Sequence, residues 1–200
     1  TGAIRAQAPK LPDRDPDTVA NVAEGLVMSA ITMSFAGSSR PASGLEHYFS
    51  HMWDMFAIER GQRADLHGIQ VGVGTLLTLK IYQWLRQEKP DRNRAENMMR
   101  AFDPAQWEAQ ARRLFGSVAP QIIKIEAEAH KNDPARHAKH LDAILGNWDE
   151  ITGIMDAELP PFAEVYDLMR NYKFSIVRRL KLHISHALLA KPGTKPGDVK

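Results

Sequence analysis

Apolar residues recur at three- and four-residue steps along most of this chain, the spacing of one face of an α-helix. From Asp15, "DPDTVANVAEGLVMSAITMSFAG" sets Val19, Val22, Ala23, Leu26, Ala30 and Met33 on one stripe. An Asp-Pro start and Gly37 as a stop bound it, so a buried helix is expected. Ser43 and Glu46 then read as an S-x-x-E capping box, which starts a second helix at Gly44 carrying His47, His51 and Trp53. A third runs from His67 to about Glu88, where "EKPD" breaks it. Its Gly68, Gly72 and Gly74 each cost about 1 kcal/mol relative to alanine inside a helix. Their presence predicts a close backbone approach, by a neighbouring helix or a ligand.

Further along, "DPAQWEAQARRLFG" has an Asp103 cap, Pro104 in the first turn and Gly116 at the end, and "APQIIKIEAEAHK" follows it. "DPARHAKHLDAILGNWDEITGIMDAEL" reads as one long amphipathic helix, "PPFAEVYDLMRN" as a short one, and "YKFSIVRRLKLHISHALLA" as the closing helix. No alternating strand pattern of useful length and no internal repeat is present. The expected fold is an all-α helical bundle. Residues 1–14 are expected to be irregular, 15–190 to form the helical domain, and 191–200 to be a disordered tail.

Composition adds limits. Two hundred residues, 44% hydrophobic and 25% charged, suit one globular domain with a real core. A net charge of +2 leaves no footprint for nucleic acid. With no cysteine, a transition-metal site must be built from His, Asp or Glu. The longest apolar run reads as too short for a membrane span, and the N-terminus lacks the apolar centre of a signal peptide. A soluble, cytoplasmic protein without membrane contact is the expectation.

Several chemical motifs fail when tested. "GVGTLL" begins like a dinucleotide fingerprint, but Leu77 stands where the third glycine belongs and no strand precedes it. Neither a phosphate loop nor a G-x-S-x-G elbow occurs. His47-Tyr48-Phe49-Ser50-His51 has the spacing of a zinc-protease motif without its glutamate. What remains is a cluster of His47, His51 and His67. Neutral imidazole suits zinc, nickel or ferrous iron, and a catalytic site takes about three protein ligands. Read from the residues alone, metal ligation and ordinary helix positions both stay open. The pairs His137/His140 and His183/His186 are expected to be structural or exposed.

The stretches "SSRPASGLEHYFSHMWDM" and "LHGIQVGVGTLLTLKIY" resemble the glycerol-1-phosphate dehydrogenases, a branch of the iron-containing alcohol dehydrogenase and dehydroquinate synthase superfamily. "FGSVAPQIIKIEAEAHKND" and "KFSIVRRLKLHISHALL" continue the resemblance. It implies the all-helical C-terminal half of a two-domain enzyme whose N-terminal NAD(P)-binding domain is absent from this chain. His47 and His67 match the family's two histidine metal ligands, for zinc or nickel and possibly iron. His51 matches the residue that lines the site and is a candidate proton relay. The aspartate ligand's G-x-G-D-type segment is not found here, so the isolated chain is expected to be inactive.

For an intact enzyme the resemblance implies reversible hydride transfer between NAD(P)H and dihydroxyacetone phosphate, giving sn-glycerol 1-phosphate. Arg40 with the hydroxyls of Ser38, Ser39 and Ser43 is a candidate phosphate grip, because guanidinium forks and helix N-termini suit phosphate oxygens. The alternative for Arg40 is an exposed loop charge. Partners expected are the N-terminal nucleotide-binding domain of the same protein and a second copy of the chain. A related polyol dehydrogenase, a dehydroquinate synthase-like enzyme and a non-catalytic assembly module are the rival functions.

Overall fold

A computed structural model describes residues 2–171, and every regular element among them is helical. The helices are α1 (Gly2–Gln7), α2 (Pro16–Ala36), α3 (Leu45–Glu59), α4 (His67–Leu85), α5 (Arg92–Arg100), α6 (Pro104–Phe115), α7 (Ala119–Glu128), α8 (Pro134–Gly146), α9 (Trp148–Glu158) and α10 (Phe162–Asn171), joined in places by short 3-10 turns. The all-α expectation is met. Expectations for the closing helix, for His183 and His186, and for the tail lie outside the described residues.

Aspartates start four of these helices. Asp15 accepts from the Thr18 amide at 3.0 Å and its hydroxyl at 2.7 Å. Asp91, Asp103 and Asp133 accept from the amides of Arg94, Ala105 and Arg136. Each satisfies an otherwise orphaned N–H at the helix start. Gly37, at φ +60°, closes α2 in the left-handed region.

Four differences from the sequence reading have local causes. Residues 2–13 are α1 followed by a 3-10 helix rather than irregular, since Ala, Arg and Gln favour a helix and 3-10 turns tolerate Pro9 and Pro12. α5 escaped the apolar pattern because its face is mostly charged, although its Asp91 cap was there to see. The long helix expected after Asp133 divides into α8 and α9 at Asn147, whose side-chain Nδ2 donates back to the Ala143 carbonyl at 2.7 Å.

The fourth is α2, which is not buried. Its inward residues include Asn21, Val22, Gly25, Ser29 and Met33, while Leu26 is 68% and Phe35 89% exposed. Val19, Val27, Met28 and Ile31 are exposed as well. The helix is apolar nearly all round, so covering one stripe leaves the others bare. By length and composition alone it is long and apolar enough to cross a membrane, contrary to the sequence expectation.

The chain divides into two compact units. The first joins the segment up to His51 with Leu66–Lys80 and the segment beginning at Pro160. Within it α1 packs on α2, where Asn21 donates to Gln7 at 2.6 Å, and Val73, Leu76 and Leu79 of α4 are buried. Each such side chain contributes roughly 1.5–3 kcal/mol. Lys80 lies 4.2 Å from the ring centre of Phe162 in α10. Gly74 explains itself here: a Cβ would come within 2.6 Å of the Glu46 carbonyl oxygen, so α3 and α4 cross backbone to backbone. Gly72 faces the tip of Met169, whereas nothing lies within 4 Å of a Cβ at Gly68.

The second unit comprises Met52–Asp65 and Ile81–Leu159 among the described residues. Trp53, Phe56, Ala111, Ala119 and Leu141 are buried, and Phe56 stacks on Phe115 at 5.7 Å. α6 pairs with α7 and α5 with α8. The exposed Arg92–Asp142 bridge between the latter, at 2.6 Å, is screened by solvent and adds little. At the end of α6, Gly116 has φ +49°, and any Cβ would overlap the Glu59 carboxylate. That carboxylate accepts from the Ser117 hydroxyl at 2.6 Å and its amide at 2.8 Å, which holds its pKa below the ordinary glutamate value. Gly116→Ala combines a strained backbone with a displaced carboxylate. A loss of about 1–3 kcal/mol is expected from the fall in urea midpoint, and an unchanged midpoint would remove the strain argument.

Candidate functional site

The first two turns of α3 and the first residue of α4 bring the three histidines of the cluster together. Ring centres lie 5.2 Å apart for His47 and His67, 5.9 Å for His51 and His67, and 6.4 Å for His47 and His51. The close crossing of the helices at Gly74 and Glu46 makes this possible, because a larger residue at 74 would push α3 away. His47 is half-buried, and His51 and His67 are exposed.

Two of the rings are held through the same nitrogen. His47 Nδ1 lies 2.9 Å from Glu46 Oε1. A carboxylate only accepts, so Nδ1 carries the proton and a neutral His47 presents its lone pair at Nε2. The same Glu46 oxygen accepts from the Gly44 amide at 2.8 Å. Partial burial acts to raise the Glu46 pKa, but the bonds from His47 and from the backbone amides of Glu46 and Gly44 outweigh it and leave the carboxyl below its ordinary value. His67 Nδ1 lies 2.9 Å from the Ser50 hydroxyl, which in turn donates to Gln70 Oε1 at 2.6 Å.

The expected capping box is altered. α3 begins at Leu45, which puts Gly44 rather than Ser43 directly before it, and Glu46 reaches back to the Gly44 amide. This end of α3 is thus already met by a carboxylate. Ser38, Ser39 and Arg40 are exposed in the bend and 3-10 turn after α2, and Ser43 is half-buried. No hydrogen bond joins these four side chains to the imidazoles among the described residues.

Sequence reasoning passed over Ser50 and Gln70. The signal was present: each lies three residues after a histidine, on the same helical face as His47 and His67 respectively, in otherwise apolar surroundings. No group of three or more His, Asp or Glu side chains forms a ligand set among the described residues. What the arrangement offers chemically is a pair of neighbouring imidazoles with restrained rings. His137 and His140 both lie on α8, half-buried and exposed, in the second unit.

Curated proteins match parts of this chain well. One from Methanosarcina mazei is 46% identical over 126 residues, which is 63% of this chain and 30% of that protein. One from Geobacillus stearothermophilus is 39% identical over 108 residues, 50% of this chain and 26% of the other. A third, from Korarchaeum cryptofilum, is 52% identical over 54 residues, 27% of this chain and 17% of the other. All three are named glycerol-1-phosphate dehydrogenase, NAD(P)+. The matched segments thus span less than a third of each relative's length. No family model matches the chain, and no solved structure does.

Proposed function

Because this chain is a relative of the glycerol-1-phosphate dehydrogenases, we propose that it supplies the histidine part of a divalent-metal centre in an NAD(P)-linked dehydrogenase. The reaction is reversible hydride transfer between NAD(P)H and the carbonyl carbon of dihydroxyacetone phosphate, giving glycerol 1-phosphate. The observation that carries the reading is the 5.2 Å spacing of His47 and His67. With Zn–N bonds of about 2.0–2.1 Å, and about 1.1 Å more from nitrogen to ring centre, two imidazoles on one tetrahedral ion have centres roughly 5 Å apart. The same arithmetic sets a ceiling of about 6.3 Å for any pair on one ion. His47 and His51, at 6.4 Å, exceed it.

The donor chemistry fits as well. Glu46 orients His47 as the outer carboxylate of a metal-bound histidine does. No third ligand stands beside the pair among the described residues, so the proposed centre takes its carboxylate from elsewhere in the protein. When bound, the metal supplies a Lewis acid that polarises the substrate carbonyl. His51, exposed beside the pair, exchanges the proton of the substrate hydroxyl with solvent, as a positioned imidazole can.

Arg40 is the proposed grip for the substrate phosphate, helped by Ser38 and Ser39. Ser43 contributes less, since the Glu46 carboxylate beside it disfavours an anion. No residue is assigned to the nucleotide. We attribute the bare apolar side of α2 to contact with the nucleotide-binding part of the same protein.

The test is made on the native polypeptide, captured from its source cells with an antibody against this chain. Reduction of NAD(P)+ is expected with glycerol 1-phosphate and not with its mirror-image 3-phosphate. Chelation should abolish it and Zn2+ or Ni2+ restore it. Metal-replete protein that turns over neither glycerol 1-phosphate nor dihydroxyacetone phosphate would refute the proposal.

A further inference from the structure

We infer that Ser50 and Gln70 are positioning residues that fix the tautomer of His67, so that its Nε2 is the nitrogen left with a lone pair. What that lone pair serves rests on the metal-centre reading; the tautomer itself does not.

Ser50 is 0% and Gln70 1% exposed, so neither can turn to bulk water for a partner. A serine hydroxyl has one proton to give and lone pairs to accept with. Its proton goes to Gln70 Oε1, at 2.6 Å. Toward His67 Nδ1, 2.9 Å away, Ser50 can only accept. Two lone pairs facing each other make no bond, so Nδ1 must carry hydrogen. A neutral imidazole has one N–H, and Nε2 is left bare.

The relay spans α3 and α4, across 17 residues from Ser50 to His67 and 20 from Ser50 to Gln70. It reaches the same outcome at His67 that the Glu46 carboxylate reaches at His47, by different means. An uncharged relay directs the ring without adding a negative charge beside it. Burial also protects it from competing water, so the hydroxyl is directed at the Gln70 carbonyl oxygen it faces. A pair that merely stapled two helices together would leave the choice of His67 nitrogen to solvent.

The test is the nitrogen spectrum of the neutral His67 ring in the metal-free 200-residue chain, labelled with 15N-histidine. The wild-type ring is expected in the Nδ1–H form. Ser50→Ala should return it toward the mixture of free imidazole, in which Nε2–H predominates. Gln70→Leu frees the Ser50 proton to donate to Nδ1 and should drive the ring to Nε2–H. Zn2+ affinity should fall about 10–100-fold in both variants, the usual effect of losing an outer partner.

A wild-type ring in the Nε2–H form overturns the inference, and because that spectrum needs no variant, a misfolded mutant cannot shield it. Variants that fold and keep the wild-type tautomer overturn it too. Should the tautomers behave as stated while the native polypeptide from source cells fails to bind Zn2+, the inference stands and the metal-centre reading is what fails.

Discussion

His67→Ala is expected to weaken Zn2+ binding by more than about a hundredfold, and His47→Ala by the same order, because losing a direct ligand must exceed the 10–100-fold cost of losing an outer one. His51→Ala should change it less than about tenfold. The difference comes from ring spacing. His47 and His67 lie at the separation that one tetrahedral ion asks of two imidazoles, while His51 stands 6.4 Å from His47 and 5.9 Å from His67. Competition against a chromophoric chelator on the 200-residue chain measures all three. Equal losses at the three positions would mean a diffuse surface histidine patch and would sink the assignment of ligands. Under the proposed function, all three substitutions should lose turnover in the native polypeptide, but only His51→Ala should lose it while keeping its metal.

Gly74→Ala carries the second large effect. The added methyl would stand 2.6 Å from the Glu46 carbonyl oxygen, 3.2 Å from its Cα and 3.3 Å from its carbonyl carbon. These are backbone atoms, so no rotamer change relieves the overlap, and α3 must move. Overpacking of this kind costs about 1–3 kcal/mol. The displaced residue is Glu46, the partner of His47, so stability and the His47–His67 spacing should be lost together. Gly68→Ala is the control, with nothing within 4 Å of its Cβ and up to about 1 kcal/mol of helix propensity to gain. Chemical denaturation of the two variants separates them. A neutral Gly74→Ala would mean that the helices cross less closely than the structure shows.

Much of this was legible in the chain because its signals are local. Asp15 with Pro16 and Gly37 bounds α2, and Asp103 with Pro104 and Gly116 bounds α6, as their residue types require. The costly glycines of α4 pointed correctly to a close approach at Gly74, but residue type alone could not say which of the three was needed. α2 defeated the pattern because a helix apolar on every side has no single inward face to read. The gathering of His47, His51 and His67 was visible as proximity in sequence. The Ser50–Gln70 relay was not, since a buried serine and glutamine acquire meaning only once two helices are laid together. The break at Asn147 was hidden for a similar reason: an amphipathic stripe runs on across a Gly-Asn pair that the backbone does not follow.

The aspartate caps of α2, α5, α6 and α8 have a bearing on time. Each start signal is read within three residues of chain, between a carboxylate and an amide just ahead of it. A ribosome adds about 5–20 residues per second, whereas a helix forms in about a microsecond or less. Every capped start can therefore be marked as it emerges, long before its neighbours exist. The histidine site keeps a slower clock. Ser50 must wait 17 residues for His67 and 20 for Gln70, about one to four seconds at that pace. Until then a polar hydroxyl, destined to be fully enclosed, stays with water.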